Sequence, residues 1–200
     1  MLIVSGPTRE PLDPVRYLSN YSTGTIGRYL VQTATKRAHQ VDWVECPRMA
    51  ETARELERLL RARIRYCDVL IMAAAVCDVR PRQTAAGKIK KDGLVTLSLV
   101  KNPDILAGLA AKKRAGQVFI GFGLESTDLL KNGRDKLDKK GLELIVLQKV
   151  TKYSKPFGEV PVDAVLLDRT GRCLKYPGVI KRRLAAIIIK EAEKLSDGQK

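Results

Sequence analysis

Few side chains in this sequence combine the type and spacing that chemistry demands, and those that do are suited to holding anions. Ser22, Thr23 and Gly24, with Gly27 close behind, stand where a helix is expected to begin. Free backbone N–H groups and the helix dipole make such a place fit for a phosphate or carboxylate, and simple capping is the competing reading. Lys136 and Lys140 are four residues apart, so a helix presents both on one face. Lys88 opens the run KIKK; by itself it reads as a solvated charge, as do Lys90 and Lys91. Asn20 ends the long loop after the first apolar run, and its amide can donate to a developing oxyanion, although asparagine is also an ordinary turn residue. Asp78 follows Ala73, Ala74 and Ala75, a small-residue strand end that lets a ligand approach the backbone closely and that equally suits tight strand packing. Pro103 and Asp104 open a helix continued by Ile105 and Leu106, and Phe122 ends an apolar strand where a core role is the default.

Other chemistry is disfavoured. His39 is the lone histidine, and Cys46, Cys67, Cys77 and Cys173 form no CxxC pair, so neither a Ser-His-Asp or Cys-His arrangement nor a metal cluster is expected.

The elements that position these residues alternate. Apolar runs at 2–6, 41–45, 68–75, 117–122 and 142–147 read as strands, with helical patterns between them at 24–37, 49–65, 103–113 and 125–139. This order predicts a doubly wound α/β fold with a mostly parallel sheet, whose ligands gather at the carboxyl ends of the strands. Residues 79–101 interrupt the alternation as a polar, basic flap with a β-hairpin, expected to be mobile, and 162–176 form an extra β-hairpin turning at Arg169–Gly171. A last helix at 178–195 carries Ile180, Leu184, Ile187 and Ile188 on one face. The length of 200 residues suits a single domain spanning 1–200. No apolar run is long enough for a membrane, and MLIVSG does not read as a leader, so a soluble, unprocessed, cytoplasmic protein is expected. The first strand leads into a long loop and not a GxGxxG turn, which disfavours ordinary NAD binding.

The loop from Gly6 to Gly27, GPTREPLDPVRYLSNYSTGTIG, resembles the N-terminal motif of the phosphopantothenate–cysteine ligase family. Further blocks follow in family order: AAAVCDVRP at 73–81, GKIKK at 87–91, KNPDIL at 101–106 and GFGLE at 121–125, with RDKLDKKGLELIV behind. The resemblance implies a Rossmann-like ligase of coenzyme A biosynthesis, without the flavin decarboxylase domain fused upstream in many members. Its reaction activates the carboxylate of 4′-phosphopantothenate with CTP as co-substrate, giving an acyl-cytidylate and pyrophosphate; L-cysteine then displaces CMP. By the same resemblance Asn20 and Lys88 serve turnover of the acyl intermediate. Ala73, Ala74, Asp78, Lys88, Pro103, Asp104, Ile105, Leu106, Phe122, Lys136 and Lys140 face the nucleoside triphosphate. Mg2+ is expected on the triphosphate, held mostly by phosphate oxygens and water, and a homodimer is expected.

Thr25, Leu147 and Gln148 depart from the family pattern, which has lysine at the first position and alanine-asparagine at the other two, and the segment after Pro47 is short. These departures leave room for an ATP-using or divergent ligase of the same fold. A formal charge of +15 motivates a competing reading, a basic nucleic-acid-binding Rossmann-like module. Aromatic residues at 5%, with no interleaving of aromatics and basics, count against it.

Overall fold

The computed structural model describes residues 1–91, 96–153 and 155–198. In chain order the strands are β1 (Leu2–Ser5), β2 (Arg9–Pro11), β3 (Tyr17–Ser19), β4 (Asp42–Glu45), β5 (Val69–Met72), β6 (Val79–Pro81), β7 (Leu99–Lys101), β8 (Val118–Glu125), β9 (Leu144–Lys149), β10 (Val162–Asp168) and β11 (Cys173–Val179). The α-helices are α1 (Thr25–Lys36), α2 (Ala53–Arg63), α3 (Ile105–Ala110), α4 (Leu129–Lys139) and α5 (Lys181–Asp197). Among the described residues, seven strands share one sheet in the order β11-β10-β9-β8-β5-β1-β4. The five from β4 to β9 are parallel, and β10 and β11 are antiparallel additions.

The period-two geometry of a strand divides its side chains between two cores. Leu2, Val4, Leu70, Phe119, Ile145 and Leu147 face a layer that includes Leu56 and Leu60 of α2, Ile105 and Leu109 of α3, and Leu137 of α4. Ile3, Val69, Ile71, Val118, Ile120, Leu144 and Val146 face the opposite layer, with Leu30 and Ala34 of α1 and Leu184, Ile188 and Ile189 of α5. Burial on both faces explains why the central strands read as unbroken apolar runs. It also accounts for the doubly wound architecture expected from the alternation.

Several boundaries differ from the sequence expectation for identifiable reasons. Helix α2 starts at Ala53 because Thr52 and Glu55 form a reciprocal capping box. Strand β8 runs on to Glu125, where the expectation ended at 122, because it pairs with β9 as far as Glu125↔Lys149. Ile180 is the N-cap of α5 and 55% exposed, so it is not part of that helix's apolar face. The flap is pinned at its base by the antiparallel pair β6–β7; residues 92–95 of it lie outside the described residues. The hairpin at 162–176 exists with its turn as expected, but it extends the main sheet through β9 and β10.

Candidate functional site

Strand β1 ends in a backbone that only glycine fits. Gly6 has φ +83°, and a Cβ there would lie 2.1 Å from the Cys46 carbonyl oxygen. The chain then crosses toward β5, where Thr8 N–H donates to Ala75 O at 3.2 Å and Ala75 N–H donates to Gly6 O at 2.9 Å. The β2–β3 hairpin returns it to Asn20, whose Nδ2 donates to Val76 O at 2.9 Å. This bond fixes Asn20 against the segment that follows β5, so the first loop and the alanine run form one wall.

At the next step the two readings of Ser22–Gly24 separate. Gly24 is the N-cap of α1, in the left-handed region, and no side chain caps the helix. The Ser22 hydroxyl accepts only weakly from Gly24 N–H at 3.4 Å, and Thr23 Oγ1 pairs with Thr25 Oγ1 at 2.8 Å. The first-turn amides of α1 therefore lack the side-chain acceptor that capping would supply, which suits an anion. Thr25, standing where the resemblance expects lysine, is buried, but Arg28 reaches back to Thr23 O at 2.9 Å and to Thr25 Oγ1 at 3.2 Å. A cation thus stands beside this loop despite the substitution.

Helix α1 can lie this close to β1 because Gly27 has no side chain; a Cβ there would sit 2.1 Å from Ser5 Cβ. Across the sheet edge, the Asp104 side chain caps α3 by accepting from Ala107 N–H at 3.2 Å. Lys140 Nζ pairs with Asp104 at 3.2 Å and Lys136 Nζ with Glu125 at 2.5 Å. Lys136 lies in the last turn of α4 and Lys140 at its C-cap.

These groups surround one cleft of about 730 Å³ at the carboxyl edge of the parallel strands, a volume in the range of small-molecule sites. Its lining includes Asn20, Ser22, Thr23, Gly24, Ala73, Ala74, Asp78, Pro103, Asp104, Ile105, Leu106, Phe122, Lys136 and Lys140. Lys88 is not in that lining. It is exposed on the flap beside Ile89, whose N–H donates to Asp13 Oδ2 at 3.2 Å and whose carbonyl accepts from Arg16 at 2.8 Å. Backbone N–H groups of Val15, Arg16 and Ile89, together with the Arg16 guanidinium, hold the buried Asp13 carboxyl below its usual range against the upward pull of burial.

Sequence reasoning missed other parts of the lining: Tyr21, Asn102, Gln148, Pro156, Phe157 and Lys181. Asn102 donates to Cys77 O at 2.9 Å and accepts from Arg80 at 3.1 Å, so it braces the flap base against the β5 wall. Lys181 opens the basic run KRR, whose default place is a solvated helix face, yet it is only 6% exposed while Arg182 and Arg183 are exposed. The wall offers two exposed carboxylates, Asp78 and Asp104, and among the described residues no three His, Cys, Asp or Glu side chains converge on a cation site. That set fits a divalent ion arriving on a polyphosphate. The buried thiols of Cys46 and Cys67 are pushed up by burial to about 12 and about 11, which makes them poor nucleophiles.

The family model for the DNA/pantothenate metabolism flavoprotein C-terminal domain matches residues 1–195. The chain belongs to this family. Among its relatives, the coenzyme A biosynthesis bifunctional protein CoaBC of Escherichia coli is 36% identical over 172 residues, covering 78% of this chain and 42% of that protein. A protein called cysteine/cysteine sulfinic acid decarboxylase, from an unknown prokaryotic organism, is 33% identical over 204 residues, covering 96% of this chain and 57% of its own length. The chain therefore spans about half the length of the curated relatives it matches. Among solved structures, the C-terminal domain of a CoaBC protein superposes with a TM-score of 0.81 at 25% identity, over 98% of this chain and 95% of that one. A Cab2 mutant in complex with phosphopantothenate-cysteine shares the fold, with a TM-score of 0.72 at 16% identity, over 99% of this chain and 86% of that one. Among the described residues, no helix of this flavoprotein C-terminal domain is long and apolar enough to cross a membrane.

Proposed function

We propose that this domain is a phosphopantothenate–cysteine ligase of coenzyme A biosynthesis, using CTP to activate 4′-phosphopantothenate and joining the product to L-cysteine. The observation that carries the reading is the convergence, in one cleft, of an uncapped helix N-terminus, an asparagine amide, an alanine-lined strand end and two lysines on the opposite wall. The relatives named for coenzyme A biosynthesis and the fold shared with a protein holding phosphopantothenate-cysteine supply the substrate classes.

In the first half-reaction the pantothenate carboxylate oxygen attacks the α-phosphorus of the nucleotide, the bond to the bridging oxygen breaks, and pyrophosphate leaves. Lys136 and Lys140 offset charge on the departing phosphates; each already has a carboxylate partner, Glu125 and Asp104, that holds its side chain in position. Asp78 or Asp104 on the wall would hold a magnesium ion arriving on the triphosphate, and the ion would add charge neutralisation there. The bare strand end at Ala73–Ala75 leaves room for the ribose, and Phe122 and Pro103–Leu106 border the base.

In the second half-reaction the cysteine amine attacks the acyl carbon and CMP leaves with the electron pair of the acyl–oxygen bond. Asn20 uses one amide hydrogen on Val76 O; the other is available to the tetrahedral oxyanion. Lys88 joins this step by movement of the flap toward the cleft. The active form is a homodimer.

The test is pyrophosphate release with CTP, magnesium and 4′-phosphopantothenate, with and without cysteine, followed by mass analysis. Cysteine-dependent formation of phosphopantothenoylcysteine is the expected result, and absence of turnover with both CTP and ATP refutes the reading. A thermal-shift panel addresses the base: equal stabilisation by CTP and ATP removes the CTP assignment.

A further inference from the structure

Helix α5 opens with a charge that the steps above do not use. Lys181 lines the cleft and is only 6% exposed. Its ammonium donates to Pro156 O at 2.8 Å and to Gly158 O at 2.5 Å, which uses two of the three hydrogens it has to offer. Among the described residues no acid forms a salt bridge with it. The carboxylate it feels is that of Glu159, which is exposed and accepts from the Tyr29 hydroxyl at 3.0 Å. Burial holds the Lys181 pKa below the usual lysine range. Lys136 and Lys140 of the same cleft, by contrast, each have a carboxylate partner.

A neutral amide donor could brace two carbonyls equally well. An ammonium taken out of water is costly unless an opposite charge meets it, so its presence in a cleft wall calls for an anion. The residues around it point to where that anion sits. Phe157 packs against Tyr21 with ring centroids 5.7 Å apart, and Gly158 N–H donates to Thr23 Oγ1 at 3.3 Å. The segment 156–158 is thereby strapped between Lys181 and the loop that ends at the uncapped N-terminus of α1.

We propose that Lys181 is an anion-binding residue of the cleft, supplying positive charge to a phosphate held at its Thr23–Gly24 end while keeping the 156–158 strap in place. The identity of the phosphate rests on the ligase reading, since 4′-phosphopantothenate and the nucleotide both bring one.

Calorimetric titration with pyrophosphate, on the wild type, Lys181→Met and Lys181→Arg, tests the charge. Affinity is expected to fall tenfold or more in Lys181→Met and to stay within about threefold in Lys181→Arg, which keeps the cation. Steady-state assays then assign the source: a raised KM for nucleotide points to the triphosphate, and a raised KM for 4′-phosphopantothenate to the monoester. A folded Lys181→Met protein with unchanged pyrophosphate affinity and unchanged KM values overturns the proposal. If that variant does not fold, the wild-type Lys181 side-chain resonances decide by NMR: movement on pyrophosphate titration supports the contact, and stationary signals at saturation overturn it. Pyrophosphate binding through Lys181 without any phosphopantothenoylcysteine formation keeps this site and removes the ligase reading.

Discussion

Replacing Gly27 by alanine puts the placement of the anion loop to a quantitative test. The new Cβ would lie 2.1 Å from Ser5 Cβ and 2.7 Å from Ser5 Oγ, whereas carbon atoms in contact settle at about 3.5–4.0 Å. Helix α1 must therefore retreat from β1 by more than an ångström, or β1 must bend. Overpacking of this kind costs about 1–3 kcal/mol, which for a domain of this size lowers Tm by roughly 2–12 °C. Ser5 Oγ also accepts from Trp43 Nε1 at 2.9 Å, and Trp43 is the only tryptophan in the sequence. Its fluorescence therefore reports the disturbance at the contact itself. Because the retreating helix carries Gly24 and Thr25, pyrophosphate affinity is expected to fall alongside Tm. Urea denaturation of the wild type, Gly27→Ala, Ser5→Gly and the double variant closes a cycle. Removing the Ser5 side chain leaves Ser5 Cα, 3.4 Å away, as the nearest neighbour, so the double variant should recover about 1–3 kcal/mol relative to additivity. A Gly27→Ala protein that melts with the wild type and keeps its tryptophan emission would refute the close-approach argument, and so would an additive cycle.

Three further outcomes are expected. Asn20→Asp and Lys88→Gln should still release pyrophosphate while accumulating the acyl-nucleotide, seen by mass spectrometry of quenched reactions; wild-type turnover by both would show that these roles were misassigned. Glu143 is 6% exposed, accepts from Phe119 N–H at 2.7 Å and pairs with Lys113 and Arg169. Its replacement by alanine strands the Lys113 ammonium, with an expected loss of about 3–5 kcal/mol in urea denaturation, and a loss below 1 kcal/mol would count against that ion network. Glu193 holds Arg37 and His39, each at 2.7 Å, and its carboxyl is lowered to about 2. A depressed folded value means that the contribution is complete above the ordinary glutamate range near 4.5 and is lost as pH falls toward 2. Glu193→Gln should thus flatten the stability profile between pH 5 and pH 2, in about the window where the wild type declines; parallel profiles would contradict the assignment.

What was legible in the sequence followed from short-range rules. The strand cores could be read because residues buried on both faces leave unbroken apolar runs, and Lys136 with Lys140 because helical spacing places i and i+4 together. Most candidate nucleotide-site residues came from ordered motif blocks, and the topology brings all of them except Lys88 to one cleft. Lys181 escaped notice because its neighbours Arg182 and Arg183 are solvated and its own burial depends on a carbonyl pair more than twenty residues away in the chain. Phe157 was hidden similarly, since its partner Tyr21 is contributed by the opposite end of the sequence. Local composition records neither pairing. The capping box of α2 was available to inspection, for Thr52 and Glu55 have the required spacing, and applying that rule would have corrected the helix start.

The two ends of the main sheet bear on whether a further strand can add to it. On one side the outermost strand, β11, carries the exposed Lys175 and Pro177, and its register with β10 shifts between Val162 and Ala164. A lysine, a residue without an N–H and a local twist are the devices by which open β edges resist adding a further strand. On the other side β4 is four residues long and begins with the exposed Asp42. Both rims of the main sheet are thus poor templates for edge-to-edge polymerisation by continuation of the backbone ladder.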